Sequence, residues 1–332
     1  TDVPHASPLV RRYARELGVP IEETEGTGPK GRILVEDLKR HVRACFAQGR
    51  GQGPGNAAAM TGIPPVPFVD PSAFGPVHER ALTRIQRVSG PALHRSWLNI
   101  PHVTQYDEAD VTELERFRRE RKAAAADRGL RLSPLLFVMK AVVVALEAHP
   151  TLRSSLAPEG DRLVVKDFFH FGIAVDTEEG LVVPVIRDVD RKGIFELAAE
   201  VAATAERARA RKLRPEDLQG ASFTISSLGG IGGTAFSPII NAPEVAILGL
   251  SKTRVEPRWQ GPPPLDPSPP SGRDREETED GGRRSTAGHF EPRLILPFSL
   301  SYDHRVIDGA EAVRFTTRLA RVLRDPVQLL LV

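Results

Sequence analysis

Two short stretches hold residues that could carry catalysis. His304 stands in "SYDHRVIDGAEAVRF", with Asp308 four residues later, and Ser226 stands in "SFTISSL" beside Ser227. Imidazole takes up and returns a proton near neutrality, so a His at such a position can act as general base. The plainer readings stand beside this one. His304 also reads as a polar residue at a strand–loop junction, and either serine as a turn or strand-edge hydroxyl. Asp308 reads as a helix N-cap, with Glu311 at capping-box spacing. A second chemistry is ionic. Arg11, Arg12, Arg15 and Arg32 fall early in the chain, and Arg11 and Arg15 at i, i+4 share a helix face. They suit either a solvated face or the docking of an acidic partner. Pattern alone leaves these alternatives open.

The elements that must position these residues are legible. Leu296, Phe298, Leu300 and Tyr302 alternate and so share one strand face, which ends at Asp303 and His304. Ala312, Phe315, Leu319 and Val322 then form a helical stripe. In the serine strand, Thr224 and Ser226 face opposite to Phe223, Ile225 and Ser227, so only one of the two serines can point into a given site. Residues 1–44 read as a very small all-α domain. Ser7 caps a helix with Pro8 at its first position, Gly18 ends it, and Leu9, Tyr13 and Leu17 line one face. "GTGPKGR" is a loop, and Val35, Leu38 and Val42 give a second helical stripe. Residues 45–78, rich in Ala, Pro and Gly, have the composition of a flexible linker. Residues 79–332 read as one large α/β domain, with helices near 110–128, 133–149, 192–212 and 309–324. Strands and helices do not alternate regularly, which predicts a mixed sheet. The Pro-rich, then charged segment 261–288 is expected to be a disordered insertion.

Composition narrows the classes. The 332 residues carry 45 Lys plus Arg against 43 Asp plus Glu, a net charge of +2, which gives no global argument for nucleic acid. The single cysteine, Cys45, excludes an intrachain disulfide and a Cys-rich zinc site, and fits a reducing compartment. No metal is expected. No apolar run reaches the ~18 residues of a membrane span, and no signal peptide is visible. The chain begins at Thr1 without Met, so a segment upstream is expected. "GIGGTA" matches a dinucleotide fingerprint only loosely, with Pro238 and Pro243 where a helix should run. "GTGPKGRI" places Arg–Ile where a phosphate loop needs Lys–Ser/Thr. Neither supports nucleotide binding.

With these residues in view the chain resembles a known family. "VPHASPLVRRYARELGV…GTGPKGRILVEDL" resembles the peripheral subunit-binding domain of 2-oxo acid dehydrogenase complexes. "SWLNIPHVTQYDEADV", "HFGIAVDTEEGLVVPVIRDVD", "FTISSLGGIGGTAFSPIINAPEVAILGLSK" and "SYDHRVIDGAEAVRF" resemble the catalytic domain of their dihydrolipoamide acyltransferases. The "ISSLGGIGGTAFSPIINAPEVAILG" run looks most like acetyltransferases of bacterial pyruvate dehydrogenase complexes; succinyl- and branched-chain homologues share the His motif. The resemblance implies a chloramphenicol-acetyltransferase-like fold and acetyl transfer from a dihydrolipoyl carrier to coenzyme A, in the bacterial cytoplasm. It implies His304 as base, Ser226 as oxyanion donor and Asp308 as a bracing residue, with His and Ser supplied by neighbouring chains of a trimer. Trimers would build a core of 24 or 60 chains. The lipoyl group would ride on a lipoyl domain upstream of Thr1. Arg11, Arg15 and Arg32 would dock the decarboxylase and dihydrolipoamide dehydrogenase. A non-catalytic docking subunit is the competing reading.

Overall fold

The computed structural model describes residues 5–16, 19, 21, 24, 26–47, 66–261, 275–277, 283–285 and 288–331. The chain divides into two compact units, Thr1–Glu79 and Arg80–Val332.

The first unit contains helices α1 (Pro8–Glu16) and α2 (Val35–Ala47). Ser7 Oγ accepts a hydrogen bond from Val10 N at 3.4 Å, so the cap stands where the sequence places it. The buried face of α1 differs from the expected one. Leu9 and Tyr13 are exposed, whereas Val10 and Ala14 pack with Ile33 and Leu38. The reason lies in the loop between the helices. Ile33 N donates to His5 O at 2.8 Å, which sets the Ile33 side chain against the Val10–Ala14 side. Leu17 and Val42, the other members of the expected stripes, have side chains outside the described residues. Asp37 pins the loop: it accepts from Thr27 N at 3.0 Å, Thr27 Oγ1 at 2.7 Å and Leu34 N at 2.9 Å. The Thr27 and Leu34 backbone bonds, with the Thr27 hydroxyl, hold the Asp37 carboxyl at a pKa of about 2.

The second unit runs α3 (Arg84–Asn99), β1 (His102–Asp110), α4 (Thr112–Glu120), α5 (Lys122–Ala126), α6 (Pro134–Ala148), β2 (Ser154–Leu156), β3 (Leu163–Val165), β4 (Phe171–Ile173), β5 (Val175–Thr177), β6 (Gly180–Val182), β7 (Val185–Ile186), α7 (Ile194–Arg209), β8 (Phe223–Ser227), β9 (Ala246–Leu250), β10 (Arg254–Gln260), β11 (Arg275–Glu277), β12 (Arg283–Ser285), β13 (His289–Asp303) and α8 (Gly309–Arg324). The main sheet has the order β1-β13-β9-β8-β4-β7, with β10 pairing the first half of β13. β8 runs parallel to both β4 and β9, and the remaining pairs are antiparallel, so the sheet is mixed. Phe171, Phe223, Ile225, Leu248, Phe298 and Leu300 from the sheet meet Leu136, Met139 and Leu146 of α6 and Phe315 and Leu319 of α8 in one core. Helix α6 is buried almost all round, including Lys140, whose Nζ donates to the carbonyls of Val189, Asp190 and Lys192 at 3.0–3.3 Å. A buried ammonium with three acceptors is satisfied and structural.

Helix α3 is absent from the sequence reading, because Gly90–Pro91 looks like a break. Its start carried a signal all the same. Thr83 and Gln86 form a reciprocal capping box, with Gln86 N donating to Thr83 Oγ1 at 3.1 Å and Thr83 N to Gln86 Oε1 at 3.0 Å. The helix expected over 110–128 is interrupted at Arg121 between α4 and α5. Within the segment expected to be a disordered insertion, β11 and β12 pair antiparallel, and apart from Gly261 and Gly288 at its ends the rest of it lies outside the described residues.

Candidate active site

Strand β13 delivers His304 and helix α8 delivers Asp308. The ladder of β13 with β1 ends at the Asp303–His102 pair. The buried Asp303 carboxylate then accepts from Arg305 N at 3.0 Å, Nε at 3.0 Å and Nη2 at 2.7 Å. Its carbonyl accepts from Val306 N at 3.0 Å and Ile307 N at 2.9 Å. This turn projects His304 outward, with its side chain exposed, its N–H bound to Pro101 O at 3.1 Å and its ring 5.9 Å from that of Tyr302. Burial, and then the Asp308 charge, push the Tyr302 phenol pKa up. Asp308 is the N-cap of α8, accepting from Glu311 N at 2.7 Å. Among the described residues no hydrogen bond or ion pair joins it to His304.

Ser226 lies on β8, where the predicted alternation holds. Phe223 and Ile225 enter the core, while Thr224 and Ser226 line a cavity of about 580 Å³ and Ser227 faces another hollow. Ala174, Leu181, Val183, Phe236 and Ile240 make the cavity's apolar walls. One wall, the loop 236–243, is fastened to the sheet by side chains that the sequence reading left unassigned. Ser299 Oγ donates to Phe236 O at 2.7 Å, and Tyr106 Oη meets Ser237 Oγ at 2.5 Å. His102 Nε2 accepts from Ile240 N at 3.0 Å, so its Nδ1 carries the proton that bonds Ile100 O at 2.8 Å. The Ser226 hydroxyl has no hydrogen-bond partner among the described residues, so it remains available to a ligand in the cavity.

A single chain does not bring His304 and Ser226 together. Ser226 pairs with Gly249, and Gly249 with Ser299. His304 lies five residues beyond Ser299, at the opposite end of the strands. At ~3.3 Å per residue and ~4.8 Å per strand, the two Cα atoms are roughly 19 Å apart. Two side chains of these lengths cannot close that gap to the ~3 Å a proton transfer needs. His304 is also missing from the lining of the Ser226 cavity.

In the first unit, Arg11 is half-buried on α1 and Arg32 is exposed in the loop before α2, while the Arg15 side chain lies outside the described residues. Among the described residues, no helix is long and apolar enough to cross a membrane, and no group of three His, Cys, Asp or Glu could hold a metal.

Residues 75–331 match the family of 2-oxoacid dehydrogenases acyltransferase (catalytic domain), and residues 4–39 match the e3 binding domain. The chain is 50% identical over 327 residues to the dihydrolipoyllysine-residue acetyltransferase component of pyruvate dehydrogenase complex of Pseudomonas aeruginosa, covering 98% of this chain and 55% of that one. It is 46% identical to the component of the same name in Haemophilus influenzae, covering 98% and 54%. The chain thus spans about half the length of these relatives. A structure of the Azotobacter vinelandii dihydrolipoamide acetyltransferase, determined to investigate a serine, a histidine and an asparagine in its catalytic mechanism, matches with TM-score 0.71 and 50% identity. That match covers 81% of this chain and all of that one. The cubic core of the pyruvate dehydrogenase multienzyme complex matches equally, with TM-score 0.71 and 50% identity over the same shares.

Proposed function

The chain belongs to the 2-oxoacid dehydrogenase acyltransferase family, and from that premise we propose that its large unit moves an acetyl group between a dihydrolipoyl thiol and coenzyme A. The observation that carries the reading is the pair of presented side chains: an exposed His304 on a rigid turn and a Ser226 hydroxyl in an apolar cavity. A thiol with pKa ~8.5 is mostly protonated near neutrality and so a poor nucleophile. His304 takes its proton as sulfur attacks the thioester carbonyl, and returns that proton to the departing thiolate. General-base catalysis of this kind contributes ~10²–10⁴ in rate. Ser226 donates to the oxyanion of the tetrahedral intermediate, a contribution of roughly 3 kcal/mol. The apolar cavity suits the uncharged arm of a lipoyl or pantetheine chain.

The two groups meet across a subunit interface, His304 from one chain and Ser226 from its neighbour in a trimer. Their separation within one chain supports this arrangement. So does the likeness to a cubic core assembly, into which trimers would be built. In the Azotobacter enzyme the asparagine stands four residues after the histidine, where this chain has Asp308. That enzyme's serine-to-histidine separation is shorter than the one here by close to the length of the segment 261–288. Asp308 caps α8 and, from that place, supports the charge that His304 gains during transfer. The first unit docks dihydrolipoamide dehydrogenase, and the decarboxylase, through Arg11, Arg15 and Arg32, and the lipoyl group arrives on a separate carrier domain. The complex works in the bacterial cytoplasm.

Steady-state transfer to dihydrolipoamide, compared across acetyl-, succinyl- and isobutyryl-CoA, tests the assignment. The highest kcat/KM is expected for acetyl-CoA; a preference for either bulkier thioester would move the chain to a sister activity.

A further inference from the structure

A buried carboxylic acid stands behind the wall of the Ser226 cavity. Glu244 is 3% exposed, on the short link between the loop 236–243 and β9. Its Oε1 accepts from Thr224 Oγ1 at 2.9 Å and from Asn241 Nδ2 at 3.1 Å, while its Oε2 has no hydrogen-bond partner among the described residues. A bare, buried carboxylate oxygen is unfavourable when charged and far less so when it carries the proton. Burial accordingly pushes the acid up to about 7, against the opposing pull of the Thr224 bond, the Lys166 charge and the Asn241 bond. Among the described residues Lys166 is the one charged group that acts on Glu244, and burial lowers its own pKa. Its ammonium donates to Ser154 O at 3.4 Å and Ala221 O at 3.3 Å.

Both partners of Glu244 belong to the cavity. Thr224 and Asn241 line it, and Thr224 shares a strand face with Ser226 at ~7 Å. Thr224 is itself closely held, because a Cβ at Gly172 would fall 2.6 Å from its Oγ1. The next residue, Val245, accepts at its O from Asp303 N at 2.8 Å, the residue before the His304 that this chain presents to a different site. Glu244 therefore holds the wall beside Ser226 directly, while its neighbour Val245 ties the same link to the turn that presents His304.

We propose that Glu244 is a positioning residue of the acyl-transfer site: it clamps Thr224 and Asn241 to fix the wall beside Ser226, and as a neutral acid it keeps that wall free of negative charge while the oxyanion forms. This inference rests on the acyl-transfer reading of Ser226. When Glu244 loses its proton, an anion in a water-poor setting opposes the oxyanion. Glutamine preserves both accepted hydrogen bonds and cannot ionise; alanine removes the clamp.

The test is acetyl transfer from acetyl-CoA to dihydrolipoamide by the 332-residue chain between pH 6 and 8.5, for wild type, Glu244→Gln, Glu244→Ala and His304→Ala, with difference infrared spectra of wild type against Glu244→Gln. At pH 6 Glu244→Gln should stay within about threefold of wild type. As pH rises through about 7 the wild type should lose kcat/KM relative to Glu244→Gln. Glu244→Ala should lose at least about tenfold at every pH, chiefly through KM, with assembly retained. A protonated-acid carbonyl band should be present in wild type, absent in Glu244→Gln, and vanish as pH rises. Identical pH profiles for wild type and Glu244→Gln, wild-type constants for Glu244→Ala, or an acid already ionised at pH 6 would each overturn the proposal. Absence of wild-type turnover, or wild-type turnover in His304→Ala, would instead sink the acyl-transfer reading, and the infrared band would still report on Glu244.

Discussion

If His304 and Ser226 act across an interface, two inactive chains should repair one another. His304→Ala keeps a sound Ser226, and Ser226→Ala keeps a sound His304. Alone, the first should lose ~10²–10⁴ in kcat and the second ~10²–10³. Co-expressed in equal amounts with different tags, the chains mix at random within trimers. A site takes its His from one chain and its Ser from the next, so about one site in four receives both sound residues. The mixed assembly should therefore turn over at about a quarter of the wild-type rate per chain, far above either parent. The assay is acetyl transfer to dihydrolipoamide on tandem-tag purified mixed oligomers, with the single variants as baselines. The shared site itself follows from the sheet register, which sets the two residues roughly 19 Å apart within a chain. Turnover no higher than that of the parents, in oligomers shown to be mixed, would refute the shared site and require a rearranged single chain.

The first unit yields two further expectations. Reversing Arg11 and Arg32 to Glu should slow association with dihydrolipoamide dehydrogenase, most at low salt, and leave transfer on free dihydrolipoamide unchanged; surface plasmon resonance at two ionic strengths reads this out, and unchanged kinetics would leave the arginines as solvated surface. Asp37 has its pKa depressed to about 2 by bonds from Thr27 and Leu34, so its contribution to stability is present above its unfolded pKa near 3.8 and is lost as pH falls through about 2. Thermal melts of the first unit should fall across that acid window in wild type, and Asp37→Asn should melt lower at neutral pH with a flatter acid profile.

The reach of sequence reasoning differs between these elements for physical reasons. Period-2 and 3.6 patterns located β13, β8 and α8, because each buries one face in a single core, and they correctly separated Ser226 from Ser227. The cap role of Asp308 was legible as spacing. The face of α1 was not, since Leu9 and Val10 are both apolar and only the tie between Ile33 and His5 decides which one turns inward. Helix α3 was hidden by Gly90–Pro91 although Thr83 and Gln86 announced its start. His102, Asn241 and Glu244 could not be found by pattern at all. Their partners, Ile240 and Thr224, are distant in sequence or lie on an irregular loop, and become neighbours only through the order β1-β13-β9-β8. The separation of His304 from Ser226 likewise needed the register.

The most direct measurement is the steady-state rate of acetyl transfer from acetyl-CoA to free dihydrolipoamide by His304→Ala, with its assembly checked by light scattering. The exposed turn that holds His304 rests on backbone bonds and on Asp303–Arg305, so the substitution should leave the oligomer intact while the rate falls by at least about 10². An intact oligomer turning over at the wild-type rate would contradict the account.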